Sequence, residues 1–191
     1  MPRPPILPIP DREAIFNSGT SWDDWLANPD EASQGASLKE FYESYELSDA
    51  TKASLQALDG KVNIIAIAET WCGDVIRHTP LLIKMVEAAG DKADIRFVTR
   101  AQNTDFFTRF VTNGGEAIPK FVFCSREFVE VGNWGPMSTT PRKWIAQGKA
   151  AGDVGAARKK VGEFYTNDNE VEATKDFLEL FETATLTSFP E

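Results

Sequence analysis

Histidine occurs once and cysteine twice in the 191 residues, and long apolar runs are missing. Each shortage excludes a class of function. A lone histidine, with no cysteine or acidic cluster at ligand spacing, leaves no metal site to expect, and no cofactor motif stands out. The longest uncharged apolar stretch, Val62 to Ala68, has seven residues, whereas a membrane-spanning helix needs about 20. No membrane association is expected. The first ten residues hold five of the eleven prolines, so they read as an extended arm rather than the apolar helix of an export signal. Two cysteines without such a signal point to a reducing, cytoplasmic setting, where a structural disulfide is not the default use of sulfur. Cationic charge is also short, 20 Lys and Arg against 29 Asp and Glu for a net of −9. That balance argues against nucleic acid, whose phosphates must be met by clustered cations. The run Arg158, Lys159, Lys160 is the single candidate, and it reads as a solvated helix face.

What is present suffices for a folded core: 42% hydrophobic residues, including 13 phenylalanines. Charge is unevenly placed. Residues 1–60 carry 4 basic and 11 acidic groups, residues 61–165 carry 15 and 11, and residues 166–191 carry 1 and 7. This suggests two acidic extensions lying against a basic middle and partly neutralising it.

Ser21 is placed to cap a short helix that Asn28-Pro29 ends, a second helical pattern begins near Ser37, and Ser48 caps a third running to Leu58. Val62 to Ala68 has the β-branched, nearly continuous apolar character of a strand buried on both faces. Apolar residues at Val75, Ile76, Leu82, Ile83 and Val86 then give one helical stripe up to Gly90. Ile95–Val98 reads as a second strand, and Phe106, Phe107, Phe110 and Val111 as an amphipathic helix closed by Gly114-Gly115. Lys120–Cys124 and Phe128–Val131 form a candidate antiparallel hairpin. Thr140 caps a helix with Pro141 at its first position, and Gly148, Gly152, Gly155 and Gly162 argue against one unbroken continuation. Val171, Phe177, Leu178 and Phe181 mark a last amphipathic helix. The order from residue 48 to about 150 predicts an α/β mixed central sheet with helices on both faces, with N-terminal and C-terminal helical extensions.

At the junction of the buried strand and the amphipathic helix, Glu69-Thr70-Trp71-Cys72-Gly73-Asp74 resembles the active-site turn of thioredoxins, usually Trp-Cys-Gly-Pro-Cys. A thioredoxin-like subgroup with Cys-Gly-Asp-Cys is similar to it as well. Pro80 falls where that family kinks its active-site helix, and Ala117-Ile118-Pro119-Lys120 looks like its cis-proline segment. The resemblance covers roughly residues 48–150. It implies a thioredoxin-like fold over residues 48–165, between a Pro-rich arm and helical extension at 1–47 and an acidic helix and tail at 166–191. It also implies Cys72 as the catalytic thiol, with Trp71, Gly73, Asp74, Ile118 and Pro119 meeting substrate. Two positions depart from the family. Val75 stands where the second cysteine belongs, and Ala66 where many thioredoxins bury a carboxylate.

The physics at Cys72 cuts both ways. Unpaired N–H groups at a helix N-terminus stabilise a thiolate, and Arg77 adds positive potential, while Asp74 opposes it. Cys124 lies five strand residues past Pro119, about 16 Å at 3.3 Å per residue, so it reads as a buried core residue and not a resolving partner. His78, six residues after Cys72, points away from the sulfur and reads as a solvated or core-edge side chain. Two functions stay open. In the first, Cys72 works as a monothiol on a protein disulfide or a low-molecular-weight thiol such as glutathione, with an external thiol resolving the mixed disulfide. In the second, a catalytically silent thioredoxin-like module binds or scaffolds a partner, with a homodimer among its options.

Overall fold

The computed structural model describes residues 7–168 and 170–187. The first six residues of the expected arm and the last four of the acidic tail lie outside them. The strand read from the apolar run, β1 (Val62–Ile67), is buried at every position. Its place explains that pattern, because the sheet order is β2-β1-β3-β4 and β1 has a neighbour on each side. β2 (Ala93–Val98) runs parallel to it, and β3 (Lys120–Cys124) runs antiparallel, with Ile64 opposite both Ile95 and Phe123. β4 (Glu130–Trp134) closes the sheet antiparallel to β3.

The hairpin differs from expectation in register. Phe128 is not a strand residue but sits in the turn with a positive φ of 57°. The Ser125 hydroxyl accepts the Glu127 and Val129 N–H groups, which stabilises a longer turn and starts β4 two residues later. Phe128 then meets Phe16 edge-on at 5.3 Å.

Helices cover both faces, as the element order predicts. On one face α9 (Val171–Leu186) seats Phe177 against Phe121 at 5.8 Å and Phe181 against Phe123 at 5.4 Å. Beside it α5 (Gly73–Ala89) runs through Pro80 without interruption and carries α3 (Ala32–Ser44) and α4 (Asp49–Gln56) on its outer side. On the opposite face, α1 (Arg12–Ser18) places Phe16 under the Arg96 guanidinium, 5.4 Å from its ring centre. α2 (Trp22–Ala27) wraps the β2 edge, where Trp25 stacks on Phe97 at 4.4 Å. Thr20 pairs with Phe97 through two backbone hydrogen bonds, so the N-terminal segment covers an otherwise open sheet edge.

The helix expected through Val111 is cut short. Only α6 (Thr104–Phe107) is helical, and Val111 is 57% exposed. The reason is local: Thr112 and Gly115 pair through both backbone hydrogen bonds, with Asn113 and Gly114 at φ 51° and 74°. Asn-Gly adopts that left-handed reversal with little strain, and a helix cannot contain it.

The doubt about one long helix after residue 139 is justified. α7 (Thr139–Ala151) ends at Gly152 with φ 72°, and α8 (Val154–Asp168) turns back on it. The cap falls at Ser138 rather than Thr140, so Pro141 is the third helical residue. The two helices approach so closely at Gly148 that an added Cβ would lie 2.6 Å from Ala157 Cβ. They share a small cluster of Met137, Val161, Tyr165, Trp144, Ile145 and Phe164, separate from the main core. Among the described residues no helix is long and apolar enough to cross a membrane.

Candidate thiol site and its cleft

β1 delivers the chain to Trp71 and Cys72, and α5 begins at Gly73 with Cys72 in the capping position, φ −87° and ψ 125°. Thr70 is locked underneath, accepting the Asp30 N–H at 2.9 Å and donating to its carboxylate at 2.6 Å. The Cys72 Sγ lies 3.5 Å from the Ile118 carbonyl oxygen, to which it donates. Ile118–Pro119 is cis, as the resemblance implies. Thus the turn and the proline segment do meet, 46 residues apart in sequence.

The opposed effects at Cys72 resolve in one direction. Burial is the largest and pushes the thiol upward, the Asp74 charge adds to it, and the Val75 and Asp74 N–H groups and Arg100 pull it down without prevailing. Arg77 is not the relevant cation. Its guanidinium pairs with Glu170 at 3.2 Å and lies between the Phe41 and Tyr165 rings. Arg100 takes that place, paired with Glu69 at 2.9 Å and 5.4 Å from the centre of the Trp71 ring. Trp71 itself is 51% exposed, and its indole N–H donates to Glu69.

His78 corrects the expectation of a solvated or core-edge side chain. It is completely buried, with Nδ1 2.8 Å from Glu170 Oε2 and Nε2 3.1 Å from the Tyr165 hydroxyl. Helix α5 carries it inward because Trp134, Tyr165 and Glu170 together supply a polar, aromatic niche. Asp74 stands near this group, its carboxyl raised chiefly by burial against the opposing charges of His78, Arg77 and Arg158. Position 75 holds a fully buried Val, and Cys124 is a buried free thiol pushed up to about 12 by burial.

Trp71, Cys72, Gly73, Asp74 and Ile118 line a cleft of about 580 Å³. Pro119 does not line it. Gly135 backs onto that proline instead, with its own φ at 120° and no room for a Cβ, which would fall 2.0 Å from the Pro119 carbonyl oxygen. The far wall of the cleft is the α7–α8 hairpin, through Arg142, Ile145, Lys149, Arg158, Val161 and Tyr165. Sequence reading missed this wall because helix spacing alone does not say which face a hairpin presents. One signal was available. Arg158, Lys159 and Lys160 are all exposed, as expected of a solvated face, and within it Arg158 lines the cleft while Lys160 sits 4.1 Å above the Trp144 ring.

A family model described as thioredoxin matches residues 19–150, more than half of the chain. The chain belongs to this thioredoxin-like family. The matched span begins at residue 19, so α2 and α3 fall inside it along with the thiol turn. No curated protein matches the sequence. Among solved structures, the fold is similar to a Pseudomonas aeruginosa protein of unknown function, at 18% identity and a TM-score of 0.68 over 91% of this chain and 98% of that one. An HIV epitope-scaffold is similar at 16% identity and a TM-score of 0.68, covering 89% of this chain and 96% of its own. Such likeness shows the fold and carries no activity with it. The C-terminal extension lies against the basic middle through α9. Among the described residues, Glu170 of the C-terminal extension pairs with Arg77 and His78, while the N-terminal extension contributes Arg12 to Glu130 at 2.6 Å, the opposite polarity.

Proposed function

We propose that this thioredoxin-like protein acts as a monothiol. The Cys72 thiolate attacks one sulfur of a disulfide, forming a Cys72 mixed disulfide and expelling the other sulfur as a thiolate, which takes up the proton that Cys72 lost. A second, external thiolate then attacks the mixed disulfide, releasing a new disulfide and returning Cys72. The observation that carries the reading is the placement of Sγ at a helix N-terminus on the wall of an open cleft, with buried Val75 in the position of a resolving sulfur. External resolution is therefore required by the residues present.

A second reading is favoured by one observation, the upward shift of the Cys72 thiol. It makes the protein a binding module that uses the cleft and never turns over. Two variants separate the readings. Native protein treated with a small disulfide should gain one adduct on Cys72, reversed by added thiol and absent from Cys72→Ser. Val75→Cys should add a dithiol reductase activity that the parent lacks. Failure of Cys72 to react in the native state, with normal reaction after unfolding, would leave the binding module.

A further inference from the structure

The α7–α8 hairpin changes what can reach the sulfur. It stands opposite the thiol turn and converts an exposed surface into a two-walled cleft of about 580 Å³, within the range of about 300–1,000 Å³ that holds small molecules. Ile118 and Pro119 are both buried, and Gly135 closes against the rear of the proline. An extended protein segment therefore finds little free backbone to pair with there.

The far wall is also chemically distinctive. Ile145 and Val161 give it an apolar middle, and Arg142, Lys149 and Arg158 flank that middle. Among the described residues, ion pairs occupy Arg12, Lys52, Arg77, His78, Arg96 and Arg100, and none involves those three cations. Arg142 donates to the Thr139 hydroxyl at 3.3 Å, a neutral partner. The acids lining the cleft are Asp74, which His78, Arg77 and Arg158 face, and the exposed Glu116, which acts on Arg100. Arg158 acts on Asp74 and Arg142 on Asp176 without forming ion pairs, and the lining holds Arg100, Arg142, Lys149 and Arg158 against two acids, so cationic charge is in excess there in a chain whose net charge is −9.

We infer, on the basis of the monothiol reading, that the partner of Cys72 is a small disulfide or thiol bearing two or more anionic groups on an apolar or extended body, and not a protein disulfide. The anions sit against Arg142, Lys149 and Arg158, the body lies along Ile145 and Val161, and the sulfur faces Cys72. Exchange transfers one half of the small disulfide to Cys72 and releases the other half as its thiol. A thiol of a different kind then attacks the adduct at the small molecule's sulfur, leaving as a mixed disulfide with it and returning Cys72 as the thiol, so the small disulfide is consumed.

The test uses the full chain and three disulfide probes: dianionic 5,5′-dithiobis(2-nitrobenzoate), neutral 2,2′-dithiodipyridine and cationic cystamine. Each rate is divided by that reagent's rate with a neutral free thiol, which removes intrinsic reactivity. The corrected anionic-to-neutral ratio should be raised at least about tenfold, with cystamine disfavoured, since a cleft in which one sign predominates concentrates counter-ions, by about 10 to 10³ where that sign is unopposed. That ratio should collapse in 1 M salt and in the variant Arg142→Gln, Lys149→Gln, Arg158→Gln. A ratio unchanged in both conditions, or faster exchange with an oxidised protein than with the dianion, overturns the inference. Should the neutral reagent spare native Cys72, the monothiol reading fails alone. The ligand class is then read by titrating glutathione disulfide into Cys72→Ser calorimetrically. Binding that the triple variant abolishes upholds it, and absence of binding overturns it.

Discussion

Replacing Glu170 should be among the most damaging single changes outside the apolar core. Its carboxylate is 3% exposed, with Oε1 3.2 Å from Arg77 and Oε2 2.8 Å from His78. Its backbone holds φ 62° and its carbonyl accepts the Thr174 N–H at the start of α9. Glu170→Ala leaves a fully buried histidine and a largely covered guanidinium without their anion. Breaking one side of a buried pair costs about 3–5 kcal/mol, and because Arg77 keeps some solvent contact the low end, about 3 kcal/mol, is expected. At about 2–4 °C per kcal/mol for a chain of this size, Tm should fall by about 6–12 °C. Glu170→Gln keeps an acceptor and should cost about half as much. The pH dependence has a definite sign. Burial, the largest influence, raises the Glu170 carboxyl, but hydrogen bonds and charges from His78 and Arg77 together hold it below its ordinary value. Its contribution is therefore complete above the ordinary ~4.3 and is lost as pH falls through the lower folded-state value. Urea unfolding of wild type and Glu170→Gln at pH 7, 5 and 3.5 checks this. The deficit should be constant between pH 7 and 5 and shrink at 3.5. A deficit under about 1 kcal/mol at pH 7 for Glu170→Ala, or one that does not shrink on acidification, refutes the reasoning.

Gly148→Ala should destabilise although alanine favours helices by about 1 kcal/mol: the new Cβ lies 2.6 Å from Ala157 Cβ and 2.8 Å from the Asp153 carbonyl oxygen, and overpacking costs about 1–3 kcal/mol, so a raised Tm would contradict the close helix approach. Lys120 is buried with Nζ bonded to Thr112 and the Gly135 carbonyl, and burial lowers it to about 8. Since the unfolded chain holds that proton up to about 10.4, Lys120 makes stability rise between pH 8 and 10 while the raised Cys72 and Cys124 thiols make it fall, so Lys120→Met should make the pH slope over that range more negative than in wild type in urea titrations. Asp74→Asn removes a charge that raises the Cys72 thiol, so the midpoint of alkylation rate against pH should move down, and an upward move would assign the shift to another group.

The fate of each residue was unevenly written in the chain, and the reason is the range of the forces involved. Caps and short-range patterns are local: Ser21 and Ser48 accept N–H groups three residues on, and β1 and β3 lie where their apolar runs place them. The thiol turn was legible through its resemblance to the thioredoxin turn, Trp71-Cys72-Gly73 between the apolar run of β1 and the helical stripe of α5. β4 and the segment after Phe107 were misplaced because the Ser125 turn and the Asn113-Gly114 reversal override propensity through single hydrogen bonds and positive φ angles. Only packing decided the rest. Residues 92 positions apart made His78 a buried partner of Glu170 and diverted Arg77 from the sulfur. The helix pair after residue 139 chose its inward face by meeting Tyr165 and Met137, and so set three cations opposite Cys72. The sequence by itself determined a sheet, a thiol at a helix start and the lack of a second sulfur beside it, since these follow from local geometry and residue identity. The balance of burial against dipole at that thiol, and the cleft it faces, came from the tertiary structure, because desolvation and enclosure depend on what the rest of the chain brings near.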